Sequence, residues 1–190
     1  MSSKFSKLFH RNKKDKNGKR LSEIKVMAIG DMNSNKKGVL IDYIKKTWED
    51  GPPIAIETFD LTVELDDKQS VTMHIWDPIA SDALDEIRPF CYDKTNIFVI
   101  FFALNKRTSF EQVKSKLVPE IKDNCPDVKY LLVGTIIWEK EKNEGNCVTE
   151  TEGQNLAKEI GAIEYIEIVI ESQKNMKYLF DKIAFYGSLE

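Results

Sequence analysis

The residues best suited to chemistry lie in one short stretch, residues 21–40, with the sequence LSEIKVMAIGDMNSNKKGVL. Gly30 ends an apolar run that predicts a buried strand, and the polar segment starting at Asp31 leads through Lys36 into an amphipathic run. A strand, a glycine, a polar loop, a lysine and a helix are the layout of a phosphate-binding loop, G-x-x-x-x-G-K-[S/T]. In such a loop, backbone N–H groups, the helix N-terminus and the lysine bind phosphate oxygens.

The match to this motif is partial. Gly30 and Lys36 have the required spacing, but Asn35 stands in place of the second glycine. Lys37 stands in place of the hydroxyl residue that would hold Mg²⁺. The stretch is therefore either a phosphate-binding loop or an ordinary surface loop between a strand and a helix, and the motif alone does not decide between them.

Composition limits the class of protein. The chain has 190 residues, 42% hydrophobic and 31% charged, which is typical of one globular domain. No apolar run approaches the ~20 residues of a membrane span, and the start lacks the apolar core of a signal peptide. Three cysteines (Cys91, Cys125, Cys147) and two histidines (His10, His74) show no metal-binding or catalytic spacing. We expect a cytoplasmic protein with reduced thiols.

The charge is distributed unevenly. Residues 1–20 carry eight basic residues and one acidic residue, a net charge of +7, whereas the remainder of the chain carries −10. Basic residues beside bulky apolar ones can adsorb to an anionic bilayer. The alternative is a solvated, disordered arm, and the acidic remainder disfavours nucleic acid as a partner. The candidate membrane-binding residues of the arm are Lys4, Phe5, Lys7, Leu8, Phe9, Arg11, Lys13 and Lys14.

The elements that must position the loop follow an alternating order of strands and helices. Two alternating runs, residues 59–65 and 70–76, predict a hairpin, and the continuous apolar run 96–103 predicts a central parallel strand. A polar helical stretch is expected over residues 82–92, and a helix over residues 109–124 with its first residue as N-cap. This pattern predicts an α/β sandwich that binds ligands at the carboxyl ends of its strands.

Several stretches, in the right order, resemble the Rho/Rac branch of the Ras-like small GTPases over residues 22–186. Arg88, Pro89 and Tyr92, with the turn NCPD, resemble Rho proteins in particular. The stretches are AIGD with Lys36 (28–36), IWD (75–77), IRPFCYDKTNIFVIFFA (87–103), SFEQVKSKLVPEIKDNCPD (109–127), LLVGT (131–135) and LAKEIGAIEYIE (156–167).

The resemblance implies a fold and a domain organisation. The fold is a Ras-like P-loop G-domain of the α/β class, with a mostly parallel six-stranded sheet, one antiparallel strand and helices on both faces. The domain spans residues 22–186, between a basic, disordered arm (1–21) and a short tail (187–190) without a prenylation motif.

The resemblance also assigns nucleotide-binding roles to residues that this chain retains. Trp48 stands where an aromatic ring stacks on guanine, and Asp77 where an aspartate holds Mg²⁺ through water. Thr135 matches the first residue of the base-recognition motif T/N-K-x-D. Core packing for Trp48 and capping for Asp77 and Thr135 remain alternative interpretations. The retained positions are Gly30, Asp31, Lys36, Trp48, Asp77 and Thr135.

The departures from the family pattern affect metal, hydrolysis and base recognition. Ser81 replaces the glutamine that orients the attacking water. Ile136 and Trp138 replace the lysine and the guanine-reading aspartate. We therefore expect no catalytic residue, no metal site and no required cofactor, with weak or absent binding of GTP and GDP. The altered positions are Asn35, Lys37, Ala55, Ala80, Ser81, Ile136 and Trp138.

These observations favour a Rho-related pseudo-GTPase, a signalling module that binds effectors or regulators of Rho-type signalling. The alternative is a divergent GTP-binding switch with slow hydrolysis that regulates the cytoskeleton or membrane signalling. The expected location is the cytoplasm, or the periphery of a membrane through the arm. The expected effector surface consists of Ile54, Ala55, Ile56, Pro78, Ser81 and Arg88.

Overall fold

The computed structural model describes residues 13–14, 18, 20–44, 55–66, 69–81, 85–139, 141 and 146–189. Two of the candidate site residues, Trp48 and Ile54, lie outside these ranges. So does most of the basic arm, of which the described ranges include Lys13 and Lys14.

A mixed sheet forms the centre of the molecule. Its six main strands are β2 (Arg20–Gly30), β3 (Ile56–Asp66), β4 (Gln69–Pro78), β5 (Ile97–Ala103), β6 (Lys129–Ile136) and β7 (Tyr165–Val169). They lie in the order β3-β4-β2-β5-β6-β7, with β3 antiparallel to β4 and all other neighbours parallel. A two-residue strand, β1 (Lys13–Lys14), pairs with the start of β2. The predicted mostly parallel six-stranded sheet is confirmed.

Helices cover both faces of this sheet. They are α1 (Lys36–Ile44), α2 (Arg107–Gln112), α3 (Val118–Asn124), α4 (Glu150–Ile160) and α5 (Met176–Ser188). One apolar cluster joins α1 and α5 to the sheet, and a second joins α2, α3 and α4 to its other face. In β5 every residue is buried, as expected for a central strand with helices on both sides.

Two helix predictions were wrong in detail. The helix predicted over 109–124 begins at Arg107 instead, and it passes through a π-helical segment, Val113–Leu117. Ser109 is not its N-cap: the hydroxyl is buried and donates to the carbonyl oxygen of Lys106 at 2.8 Å. In the described part of the predicted helix 82–92, the chain forms a 3₁₀ helix, Arg88–Cys91, with a proline in its first turn.

The first long strand and the last helix reach slightly beyond residues 22–186. The first long strand begins at Arg20, and the last helix continues to Ser188. Within the described ranges, no helix combines the length and apolar character needed to cross a membrane.

Candidate functional site

The predicted loop lies at the carboxyl end of β2, where the sheet is tightly packed. A Cβ atom added to Gly30 would lie 2.6 Å from the carbonyl oxygen of Phe101 and 2.6 Å from Oγ of Ser34. Real Cβ atoms do not approach other atoms so closely, so glycine is required here for the loop to pass over β5. This agrees with the glycine position of the predicted motif.

Asp31 makes the hydrogen bonds that shape the first half of the loop. Its carboxylate accepts from the backbone N–H of Asn33 at 2.7 Å, and its carbonyl oxygen accepts from the N–H of Ser34 at 3.1 Å. The hydroxyl of Ser34 also donates to this carbonyl, at 2.6 Å. Two N–H groups that a phosphate-binding loop would direct at an anion therefore bond to Asp31.

The second half of the loop is held by Asn35 and Thr135. Asn35 has a left-handed backbone with φ of 54°, so it takes the conformation that glycine has in the motif. Its side-chain amide donates to Oγ1 of Thr135 at 3.4 Å. That hydroxyl is buried and can give its single proton to the carbonyl oxygen of Ser34 at 2.7 Å or of Phe102 at 3.1 Å. Thr135, which lies on β6, therefore joins the loop to β5 and β6.

Lys36 points into the protein. It is 6% exposed, and its ammonium group donates to the carboxylate of Asp77. It also donates to the carbonyl oxygens of Pro78 at 2.9 Å and Ala28 at 3.3 Å. Burial lowers the pKa of Lys36 and raises that of Asp77, while the attraction between them favours the charged forms. All three N–H donors of the lysine have protein partners.

Lys37 projects outward from the first turn of α1. Its Nζ atom lies 3.1 Å from Oε2 of Glu57 on β3. An ammonium group cannot ligate a cation, and Asp77, the nearby carboxylate expected to hold Mg²⁺, already binds Lys36. Among the described residues, no group of three or more His, Cys, Asp or Glu side chains could hold a metal ion. In this arrangement, neither Lys37 nor the ion-paired Oδ1 of Asp77 is available to a cation.

On the base-recognition side, the ends of β6 and β7 are joined by backbone hydrogen bonds. The N–H of Ile170 donates to the carbonyl oxygen of Ile136 at 2.9 Å, and that of Glu171 donates to Ile137 at 3.0 Å. Ile136 is fully buried, whereas Trp138 is 43% exposed. Neither side chain offers the carboxylate that would recognise a guanine.

The two switch-like segments are joined by an extension of the β3–β4 hairpin. Ile56 pairs with Pro78, and the N–H of Ile79 donates to the carbonyl oxygen of Ala55 at 3.0 Å. Ala55 is exposed and Ser81 is half-buried. Pro78, which was also assigned to the expected effector surface, is buried, so this assignment was wrong.

Arg88 was also assigned to the expected effector surface, and the structure corrects this assignment. It is 6% exposed, and its guanidinium group binds both carboxylate oxygens of Glu120 at 2.5 and 2.9 Å. The same group pairs with Asp85 at 2.9 Å and donates to the hydroxyl of Tyr92 at 3.2 Å. Sequence reasoning missed Glu120, because nothing in its local sequence indicates a partner 32 residues away.

A small cavity lies beside the loop. Its volume of about 110 Å³ is smaller than the roughly 300–1,000 Å³ of ordinary ligand pockets. Met32, which is 76% exposed, stands at its edge. The described residues that line it are Gly30, Asp31, Met32, Ala80, Ser81, Asp85, Arg88, Gln112, Lys116 and Leu117.

The structure thus brings together five of the six predicted nucleotide-binding residues, and the sixth, Trp48, lies outside the described ranges. Gly30, Asp31, Lys36, Asp77 and Thr135 meet at the carboxyl ends of the central strands, but their polar groups bond to one another and to the backbone. Comparison with known protein families matches residues 25–186 to the Ras family.

Proposed function

Because this chain belongs to the Ras family, we propose that it is a Rho-type small GTPase-like protein that works as a protein-binding module and does not switch with nucleotide. Small GTPases of the Ras family act through effectors and regulators. The proposed partners are therefore effectors or regulators of Rho-type signalling, met in the cytoplasm or at the periphery of a membrane.

The observation that carries this proposal is the position of the Lys36 ammonium group. It is buried and bonds to Asp77 and to two carbonyl oxygens, where a phosphate-binding loop would present it to a nucleotide. To bind a phosphate, the Lys36 ammonium group would have to give up at least one of these three bonds, and loss of the bond to Asp77 would leave a buried carboxylate without its partner. Removing one partner of a buried ion pair costs about 3–5 kcal/mol, which a nucleotide would have to offset.

The other departures add to this cost. A missing charged hydrogen-bond partner costs ~1.5–3 kcal/mol, so losing the guanine-reading carboxylate and a metal ligand weakens binding by ~3–6 kcal/mol. At ~1.4 kcal/mol per tenfold change, this is on the order of 10²–10⁴ in affinity. Ser81, whose hydroxyl is short, is a poor substitute for the water-orienting glutamine, so hydrolysis is impaired independently of binding.

Such a module would bind its partner through a surface with one fixed conformation. The Ala55–Ile79 hydrogen bond holds the ends of β3 and β4 together through the backbone. The ion pair of Arg88 with Glu120 attaches the segment after β4 to α3. These contacts support one conformation of the surface, which would meet its partner constitutively.

A divergent GTP-binding switch with slow hydrolysis is the second candidate. The left-handed backbone of Asn35 favours it, since the loop keeps the turn that a phosphate-binding loop needs. For this candidate to hold, Lys36 must exchange Asp77 for a phosphate when nucleotide binds.

Mass spectrometry of the small molecules released from denatured, freshly purified protein separates these candidates. We expect guanine nucleotide far below one molecule per chain. A nucleotide-binding member of the Ras family, purified in parallel in Mg²⁺ buffer, controls for loss during purification. An equimolar amount of GDP or GTP from the present protein would refute the proposed loss of nucleotide binding and would favour the second candidate.

A further inference from the structure

A groove of about 500 Å³ lies on the face of the sheet that α2, α3 and α4 cover. It runs between α4 and the continuous helix 107–124, which consists of α2, the π-helical segment and α3. Its volume is within the roughly 300–1,000 Å³ of ordinary ligand pockets. No described residue lines both this groove and the small cavity beside the loop, so the two are separate sites.

Two apolar side chains form the floor of the groove. Leu156 of α4 is 5% exposed, and Phe110 of α2 is half-buried. The ring of Phe110 packs edge-on against that of Phe102 in β5, with 5.1 Å between the ring centroids. The floor is therefore continuous with the close-packed core, and it favours an apolar ligand group by removing that group from water.

Two ion pairs span the groove, one near each end. The guanidinium group of Arg107 binds the carboxylate of Glu152 at 2.6 Å, and the ammonium group of Lys114 binds Glu159. Each pair joins the two helices, and on both helices the paired positions are seven residues apart. At about 1.5 Å per residue, the two ion pairs are roughly 10 Å apart. The open length fits a small molecule and is too short for a helix laid along the groove.

A carboxylate without a partner lies between these ion pairs. Among the residues that the structure describes, neither the Glu111 carboxylate nor the side-chain amide of Asn155 has an ion-pair or hydrogen-bond partner, and both residues line the groove. Because each ion pair is neutral, Glu111 gives the groove one net negative charge. The chain after residue 20 carries −10 as well, so the field of the domain favours a cation over an anion.

One wall of the groove has an irregular backbone. Lys114 and Ser115, which both line the groove, belong to the π-helical segment Val113–Leu117. Such segments are rare, occur mostly as single turns within α-helices, and are frequently found at functional sites. The backbone irregularity therefore points to the same place as the cavity and the unpaired carboxylate.

We propose that this groove binds a small organic cation with an apolar body and one ammonium group. The apolar body lies on Phe110 and Leu156, and the ammonium group donates to the carboxylate of Glu111 and to the amide oxygen of Asn155. A neutral molecule of the same shape would lack the charge-assisted hydrogen bond to Glu111 and would bind more weakly. The inference does not depend on whether the loop after Gly30 binds nucleotide.

Fluorescence titration of the full chain with monodansylcadaverine tests the proposal, because this probe joins an apolar dansyl ring to a primary ammonium group. The matched control probe is its N-acetyl derivative, which has the same ring and chain but no charge. We expect the cationic probe to bind with a blue-shifted emission. The neutral probe should bind about fivefold more weakly, which is the upper end for an ion pair at an exposed site.

Three variants locate the bound probe. Glu111→Gln should weaken binding of the cationic probe about fivefold and leave binding of the neutral probe unchanged. The matched control is Glu171→Gln, in an exposed glutamate of the turn after β7, and it should bind both probes like the wild type. Asn155→Phe, at an exposed position of α4, puts a ring into the groove and should abolish binding of both probes. Thermal unfolding confirms that each variant is folded.

Three results would overturn the proposal. The first is the absence of binding of the cationic probe at millimolar concentration. The second is a Glu111→Gln variant that still prefers the cationic probe to the neutral one. The third is a dimer in sedimentation velocity that Asn155→Phe dissociates, without probe binding to the wild type, because the groove would then belong to a second copy of the chain.

Discussion

Lys36 and Asp77 form a buried ion pair that joins the start of α1 to the end of β4. The same ammonium group reaches the backbone of β2 through the carbonyl oxygen of Ala28, at 3.3 Å. A side chain thus connects elements that, in a nucleotide-dependent switch, are connected through the γ-phosphate and its metal.

Replacing Lys36 and replacing Asp77 should have non-additive effects on the free energy of unfolding. Lys36→Met and Asp77→Leu should each destabilise the fold by about 3–5 kcal/mol, because each leaves a buried charge without its partner. The double variant should lose much less stability than the sum of the losses of the two single variants. Urea unfolding of all four proteins measures this coupling, and strictly additive losses would contradict the internal role of Lys36. Lys37→Met, in the more exposed pair with Glu57, serves as a control and should cost less than about 1 kcal/mol.

Nucleotide binding should not depend on magnesium or on the base. Isothermal titration with GTP should show no submicromolar affinity, and chelating Mg²⁺ should leave the weak signal unchanged. ATP should behave like GTP, since Trp138 has no carboxylate to read guanine. Tight binding that favours GTP over ATP and disappears on chelation would refute the proposed loss of the site.

The switch-like segments should have one conformation whatever nucleotide is present. A ligand shifts a two-state equilibrium only by its difference in affinity for the two states. With Ala55 and Ala80 in place of the γ-phosphate contacts, GTP and GDP should be equivalent. Hydrogen exchange over residues 55–66 and 69–81 should be the same in the apo protein, with GDP and with a non-hydrolysable GTP analogue. Protection that increases only with the analogue would mean that the segments still switch.

Two helical glycines should respond in opposite directions to the same substitution. A Cβ at Gly153 in α4 would lie 2.2 Å from Cζ of the half-buried Tyr165 ring, so Gly153→Ala should destabilise by about 1–3 kcal/mol. At Gly38 in α1 the nearest atom, Cδ1 of Ile170, is 3.7 Å away. Gly38→Ala should therefore stabilise by roughly 0.5–1 kcal/mol, through helix propensity. Chemical denaturation of both variants gives the comparison, and equal effects would contradict the packing around Tyr165.

The start of α4 should make stability sensitive to acid. Arg107 and the N-cap residue Thr149 bond to the Glu152 carboxylate and lower its pKa from 4.5 to about 2. A folded pKa below the unfolded one gives stability that is present above pH 4.5 and is lost as the pH falls through about 2. Glu152→Gln keeps the cap geometry but cannot titrate. The stability difference between wild type and variant should therefore shrink in this window, and a constant difference would exclude the linkage.

The sequence by itself determined the architecture. The fully apolar β5 and the alternating residues of β3 and β4 have periodicities that specify a central strand and a hairpin locally. The turn at Asn35 was also predictable, because a left-handed backbone is a property of one residue and its neighbours. These features depend on residues that are close together in the sequence, so they can be predicted from one sequence alone.

Only the tertiary structure decided what the functional side chains bond to. Asp77 lies 41 residues after Lys36, and Glu120 lies 32 residues after Arg88. Packing decides which groups come within reach of a side chain and which are removed from water. It therefore decides whether Lys36 binds a phosphate or a carboxylate, and whether Arg88 faces a partner or α3. Burial and long-range pairing are set by the assembly of the whole sheet and its helices, so residue type and spacing cannot specify them.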